Sequence, residues 1–415
     1  MTIDSSADGS QVDKTGEQGA GRRTERPPEG PHLGQFTADD EYVGTPTAPP
    51  ATRWFGRQPT IGFLMLLYVG IIWYVIGILF GPLRSIETMG GPTTFWLPVL
   101  IVVAAWWHNW PGSLIKSRLG AGLANTVIFI IAMYILTGLG QIVVEGHLQI
   151  QSLFESNGTV PTFPFLIPLG ATIFVAMLQL TFVCDRWPFD RMGNIAAGAC
   201  AFVLVWVVGV VVNLTLVNWD GIVPVPVQHA IGLRNPGGPV NALDLIAWLV
   251  SIVIFQLIFF QVLDGWPFRN FESKSTQLVV SNVFVIGGGW LAYLFERDVL
   301  HYPVPVIVAI GGAVAVGCNI STLVFESYPF HHEKPYLARI GLVMNVVGIS
   351  FVAYIVVKSV GLAAQPTWTT VPIELYVATI CLNFIAPVII FIYLVYGRWP
   401  FQPPAPPEPD DALAR

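Results

Sequence analysis

The sequence has little charge. Only 11% of its 415 residues are Asp, Glu, Lys or Arg, and 53% are hydrophobic, with a mean hydropathy of +0.63. Soluble domains carry about 25% charged residues, so this composition excludes an ordinary soluble enzyme. The apolar residues fall in runs of about 20, long enough to cross a hydrocarbon core about 30 Å thick. The sequence therefore predicts an all-α, multi-pass transmembrane helical bundle.

Groups that usually carry chemistry are also scarce. The four cysteines lie in apolar runs without a CxxC pair, which is typical of small buried hydrophobes. There is no Walker loop, GxGxxG, GxSxG or HExxH motif. No basic patch suggests nucleic acid, and the net charge is −6. We expect no cofactor and no nucleic-acid partner, identify no catalytic residue, and favour a protein that is not an enzyme.

Ionisable side chains are missing from the middle of every apolar run. Asp244, Lys358 and Glu374 all lie at run ends. Proton-coupled transporters usually carry ionisable relays inside the membrane, and a haem held by two histidines would need them there too. The chain is therefore unlike an ion-coupled transporter or an electron carrier.

Ten apolar runs divide the chain. The second run is the shortest, so it is expected to be tilted or partly interfacial. Residues 1–53 and 402–415 are rich in polar residues and proline, which predicts disordered tails around a membrane domain at 54–401. The runs lie at about 60–80, 93–108, 119–144, 163–184, 194–217, 242–263, 276–295, 304–325, 337–360 and 373–396.

A short aromatic–proline motif recurs roughly every 60 to 80 residues, the range of repeated supersecondary units. Proline ends a helix, and Trp or Tyr favours the membrane interface. We therefore predict about five parallel two-helix repeats joined by these turns. Trp54-Phe55 before the first run suggests that this run completes a unit with the last one. The motif residues are Trp110, Asp185, Trp187, Asp264, Trp266, Glu326, Tyr328 and Trp399.

Basic residues indicate the orientation, because Lys and Arg accumulate on the cytoplasmic side. The side of the turns has most of them, and the other side has only Arg84, Arg234, Arg297 and Lys358. We therefore expect a cell-membrane protein with both termini and all turns in the cytoplasm. The basic residues of the turn side are Arg53, Arg57, Lys116, Arg118, Arg186, Arg191, Arg269, Lys274, Lys334, Arg339 and Arg398.

The acids before three of the turns need an explanation. Asp185, Asp264 and Glu326 follow helix C-termini, where the helix dipole disfavours negative charge. Each acid is therefore expected to have a cationic partner. The candidates are Arg191, Arg269, Lys274 and Arg339.

Amide side chains and glycines mark the interior of the runs. The amides either hydrogen-bond between helices or line a path for a neutral solute. Gly287-Gly288-Gly289 and Gly311-Gly312 are expected to pack the seventh and eighth spans together. The substrate-path candidates are Asn125, Gln179, Gln256, Asn282, Asn319, Asn345 and Asn383.

Three functions remain open. The first is a passive permease or channel-like facilitator for a small uncharged solute. The second is a non-catalytic membrane subunit or scaffold that docks a membrane or cytoplasmic protein. The third is a membrane enzyme with an outward His/carboxylate metal site. Its ligands would come from Glu145, His147, Asp220, His229, Glu296, Asp298 and His301.

Overall fold

The computed structural model describes residues 58–154, 162–330, 335–368 and 371–401. Within them, nine helices are long and apolar enough to span a membrane, and a tenth is shorter, so the chain is a multi-pass integral membrane protein. The two tails expected to be disordered lie outside the described residues. The helices are α1 Thr60–Leu79, α2 Pro82–Trp106, α3 Arg118–Glu145, α4 Ile167–Val183, α5 Asn194–Leu216, α6 Ala242–Val262, α7 Lys274–Val299, α8 Val304–Val324, α9 Tyr336–Ala364 and α10 Ile373–Val395.

Shorter elements lie in the connections. Helical turns occupy Thr162–Phe165 and Val225–Ala230, and 3₁₀ turns occupy Gly112–Leu114, Gln151–Leu153 and Phe268–Asn270. Strands β1 (Val217–Asn218) and β2 (Val240–Asn241) form a parallel pair, with Val217 opposite Val240. This pair fastens the two ends of the long α5–α6 connection to each other.

Local signals define the ends of several helices. Ser117 before α3 and Ser273 before α7 each accept a hydrogen bond from a backbone N–H of the first turn, which satisfies a donor that has no partner within the helix. Gly146 ends α3 with φ +80°, a left-handed conformation that glycine adopts without steric cost.

The ten helices form an inner and an outer set. In the most apolar stretch of α2, α6, α8 and α10, 72–83% of the residues are buried, and most of the α-helical part of α4 is buried too. In α1, α3, α5, α7 and α9 the share is 22–39%. The inner helices form a closed ring in the order α2, α4, α6, α8, α10 and back to α2. The odd-numbered helices therefore present most of their surface to lipid.

Each outer helix packs against one inner helix. Helices α3, α5, α7 and α9 pack against α2, α4, α6 and α8. Helix α1 contacts α10, where the hydroxyl of Tyr376 donates to the carbonyl of Gly77 at 3.4 Å. Each outer helix also touches the last turn of the preceding inner helix in this ring order, so that α3 touches that of α10 and α1 touches that of α8. The first and last helices are therefore neighbours.

Helix α2 differs from its predicted form. It begins at Pro82 rather than near 93, and it is a buried inner helix of 25 residues rather than an interfacial one. Its first half contains Glu87, Gly90 and Pro92, which interrupt the apolar run. Pro92 is accommodated inside the helix. The shortest span is α4, with 17 residues.

The glycine contacts also differ from the prediction. A Cβ on Gly289 would lie 2.9 Å from the backbone nitrogen of Ile252 on α6, and one on Gly311 would clash with the side chain of Val250 on α6. Gly312 faces Cys381 of α10 instead. The glycines of α7 and α8 therefore pack against α6 and α10, because consecutive helical residues point in directions about 100° apart.

We predict that Gly289→Ala destabilises the protein by about 1–3 kcal/mol, because the added methyl group must push α7 away from the α6 backbone. Gly287 is the matched control, since a Cβ there meets nothing within 4 Å. Gly287→Ala should be neutral or stabilising by up to about 1 kcal/mol through helix propensity. Thermal unfolding in detergent measures both variants, and equal Tm values for the two would contradict the packing.

Candidate functional site: the turns and the axial cavity

The five aromatic–proline turns share one backbone conformation. Each inner helix ends in a π-helical turn, followed by two residues with positive φ and then a cis aromatic–proline bond. After α4, the N–H of Cys184 donates to Gln179, that of Arg186 to Leu180, and that of Trp187 to Cys184, and the other four turns have equivalent bonds. The last carbonyl groups of the inner helices are thereby satisfied.

The left-handed backbone conformation of the turns gives a local reason for the acids at these positions. The first positive-φ position of the five turns has φ between 48° and 54°. Among residues other than glycine, Asp, Asn and His are the most enriched in this region. Three of the turns have His, Asp and Asp there, and the others have Glu and Gly. The residues are His108, Asp185, Asp264, Glu326 and Gly397.

Each of the three acids has a cation nearby. Arg269 contacts Asp264 at 2.6 Å, and Lys274 lies 3.8 Å from Asp185. Glu326 pairs with Arg398, which belongs to the turn of the neighbouring inner helix and was not among the expected partners. The guanidinium carbon of Arg339 lies 5.1 Å from the centroid of the Trp266 ring.

The residue before the aromatic connects neighbouring inner helices at three junctions. Asn109 donates to the carbonyl of Leu394 on α10 at 2.7 Å, and Arg186 donates to the carbonyl of Ala105 on α2. Burial lowers the pKa of the Arg186 guanidinium, and the Asp185 charge opposes this effect. Arg398 makes the third connection, through its ion pair with the turn that follows α8.

The aromatic residues of the turns differ in exposure. Trp187 is 52% exposed, Trp266 40% and Tyr328 37%, whereas Trp110 and Trp399 are half-buried. Large aromatic side chains at helix ends are typical of the membrane interface. The exposed rings on the side of the turns are therefore of the kind that an aromatic belt would have.

Five of the seven path candidates connect helices away from the axis. Asn125 holds the first turn, since its Nδ2 donates to Asn109 O and its Oδ1 accepts from Gly112 N, both at 3.1 Å. Asn345 of α9 donates to the Ser321 hydroxyl of α8 at 3.2 Å. These contacts are of the kind that the helix-packing interpretation predicts.

Gln179, Gln256 and Asn282 form a chain of amides between α4, α6 and α7. Gln256 Nε2 donates to Gln179 Oε1 at 2.6 Å, and Gln179 Nε2 donates to Asn282 Oδ1 at 2.8 Å. None of the three lines the cavity at the centre of the bundle. They therefore also act as contacts between helices.

Two adjoining pockets lie inside the inner ring, a turn-side lobe and a far-side lobe, and each is lined by all five inner helices. The cavity volume is about 30 Å³ in the turn-side lobe and about 90 Å³ in the far-side lobe. Four residues line both lobes and therefore form an apolar ring where the lobes meet. They are Leu97, Phe174, Val253 and Leu382.

The few polar groups of the cavity lie on either side of this apolar ring. Gln261 and Asn319 line the turn-side lobe, and Thr94, Thr379 and Asn383 line the far-side lobe. Only Asn319 and Asn383 of the seven path candidates are among them. Gln261 was missed, although Val253, Leu257 and Gln261 recur at intervals of four, the spacing of one helix face.

The outward histidines and acids do not form a metal centre. Among the described residues, no three His, Cys, Asp or Glu side chains lie close enough together to hold one metal ion. Asp298 pairs with Arg297 at 2.7 Å, and Asp220 accepts from Asn235 at 2.9 Å. The described residues therefore give the metal-enzyme hypothesis no support.

Comparison with known proteins found no matching family model, no matching curated protein and no matching solved structure.

We predict that Glu326 and Arg398 are energetically coupled, because their ion pair joins two inner-helix turns and the Arg398 side chain is only 17% exposed. Glu326→Gln and Arg398→Gln should each lower stability, and the double variant should be little worse than either single variant. The Asp264–Arg269 pair is the control. It lies within one turn and is more exposed, at 55% and 31%, so its coupling should be within about 0–1 kcal/mol. Additive losses at Glu326 and Arg398 would contradict the prediction.

Proposed function

We propose that this protein is a passive, channel-like facilitator for a small uncharged solute, with its route along the axis of the inner ring. The observation that carries the proposal is the axial cavity, to which every inner helix contributes lining residues. Binding sites in helical bundles are commonly built from side chains on facing helices. The seven amides as a group support the proposal less, because most of them connect helices.

The lining accounts for the restriction to uncharged solutes. Nearly all side chains of the two lobes are apolar, and Leu97, Phe174, Val253 and Leu382 lie between them. An ion would lose its hydration there without gaining a charged partner, at a cost of many kcal/mol. Narrow hydrophobic constrictions can also exclude water columns. The route therefore suits single neutral molecules.

We further propose that the chain consists of five parallel two-helix units around an axis normal to the membrane. The common conformation of the five turns supports this, as does the cyclic order of helix contacts. The fifth unit is split, with α10 as its inner helix and α1 as its outer helix. Such a design forms a closed ring from a single chain.

The distribution of Lys and Arg supports turns that face the cytoplasm. We predict that Ser113→Cys and Asn270→Cys, at exposed turn positions, resist an impermeant thiol reagent in intact cells and react after permeabilisation. Ala230→Cys, in the connection on the opposite side, should react in intact cells. The exposed native Cys200 is replaced by alanine in all variants. The reverse labelling pattern would contradict the orientation.

The route itself is tested by filling the cavity. In proteoliposomes, wild-type protein should accelerate swelling in an inward gradient of a small neutral solute such as butyramide, measured by stopped-flow light scattering. Leu382→Trp should abolish the protein-dependent part, because the indole would occupy the space where the lobes meet. Val283→Trp is the control, since Val283 is 68% exposed on the outer helix α7 and the change leaves the axis open.

A wild-type rate equal to that of protein-free vesicles would reject the route. That outcome would favour the scaffold, for which the exposed Trp187 and Trp266 on the turn side are the supporting observation. Exposed aromatic side chains are enriched where proteins bind one another. Equal losses in Leu382→Trp and Val283→Trp would also contradict the axial route.

A further inference from the structure

Two amide groups that line the axial cavity share one hydrogen-bond arrangement. In the turn-side lobe, Gln261 Nε2 donates to Asn319 Oδ1 at 2.9 Å and to Thr322 Oγ1 at 2.8 Å. In the far-side lobe, Asn383 Nδ2 donates to Gly90 O at 3.0 Å and to Thr94 Oγ1 at 2.9 Å. An amide nitrogen has two protons. The amide nitrogen of Gln261 is therefore engaged by two side chains of α8, and that of Asn383 by two adjacent acceptors of α2.

These contacts also determine which way the two amides point. Reversing Asn383 would bring its oxygen against the carbonyl oxygen of Gly90, where two acceptors repel. Reversing Gln261 would bring its oxygen against Asn319 Oδ1, and Asn319 is itself oriented by its Nδ2 contact with Ala386 O at 3.4 Å. The network thus defines the positions of oxygen and nitrogen in both amides.

The carbonyl oxygens of these amides remain available. Gln261 and Asn383 are only 6% and 7% exposed, and both line the cavity. Within the described residues, no protein donor reaches Gln261 Oε1 or Asn383 Oδ1. An acceptor that faces an apolar cavity without a donor is unfavourable. Each lobe therefore has an unpartnered amide carbonyl oxygen in its lining, and the apolar ring lies between the two.

We propose that Gln261 Oε1 and Asn383 Oδ1 are successive binding positions for a small uncharged molecule that carries an O–H or N–H donor, such as an alcohol or a primary amide. This inference rests on the proposed axial route. A molecule with a donor satisfies each carbonyl in turn, whereas one without a donor leaves both unpaired. Asn319 lines the turn-side lobe and Thr379 the far-side lobe, so each lobe also contains a side chain with a donor group for the acceptor of such a molecule.

A pair of isomers tests this selectivity. Butyramide and N,N-dimethylacetamide have the same atoms, but only butyramide has N–H groups. Protein-dependent swelling of wild-type proteoliposomes, after subtraction of the Leu382→Trp rate for each solute, should favour butyramide by about tenfold. This ratio corresponds to one hydrogen bond of about 1.4 kcal/mol.

Two variants test whether an amide of the cavity causes the preference for butyramide. Gln261→Met keeps an unbranched side chain but removes the acceptor, so the ratio should fall towards one. Gln256→Met is the matched control, because Gln256 lies five residues earlier on α6, bonds to Gln179 and lines neither lobe. This control should keep the wild-type preference.

The outcomes separate the inference from the proposed function. Protein-dependent flux that Leu382→Trp blocks, but that is equal for the two isomers, would overturn the inference and leave the route intact. A preference that persists in Gln261→Met and in Asn383→Leu would overturn it too. Absence of any protein-dependent flux would overturn both. The wild-type ratio requires no variant at these amides, so it remains decisive if either substitution prevents folding.

Discussion

The ends of the inner helices impose the main constraint on this structure. Backbone carbonyls at a buried helix end have no partner within the helix and cannot be left without hydrogen-bond donors. Here a π-helical turn and two left-handed residues provide those donors, as at Asp185-Arg186 after α4. The same turn places the second residue beside the neighbouring inner helix, where Asn109 and Arg186 bind carbonyl groups. One backbone conformation thus ends each inner helix and, at three junctions, ties the ring together.

Hydropathy predicted the membrane class well but not which helices lie inside. Helices α3 and α6 have the same mean hydropathy of 2.4 in their most apolar stretch, yet one is 39% and the other 72% buried there. Lipid tails and the protein interior are both apolar, so a hydropathy scale does not distinguish them. For the same reason, hydropathy did not reveal the first half of α2. Glu87, Gly90 and Pro92 interrupt its apolar run, and Gly90 and Pro92 are buried inside the bundle rather than in contact with lipid.

The sequence identified the polar residues inside the helices but not the direction in which each side chain points. Asn345 and Asn319 look alike in sequence, but Asn345 faces a neighbouring helix and Asn319 faces the axis. A side chain's direction depends on the rotation of its helix, which long-range packing determines. The acids of the turns show a related effect. The helix dipole led to the expectation of cationic partners for Asp264 and Glu326, but their positive φ is a second, local requirement that the sequence pattern did not reveal.

The position of an amide relative to the axis explains how some amides pack helices together while others are open to a solute. Away from the axis, as at Gln179 and Asn282, an amide can use its donor and its acceptor on neighbouring helices. An amide that faces the axis has protein on one side and open space on the other, so its unpartnered group is open to a solute, unlike the unpartnered Oε1 of Gln256, which is buried between helices. In Gln261 and Asn383 the unpartnered group is the carbonyl oxygen, because the amide nitrogen of each is engaged by the protein. The polarity offered to a solute is therefore a consequence of how the inner helices are held together.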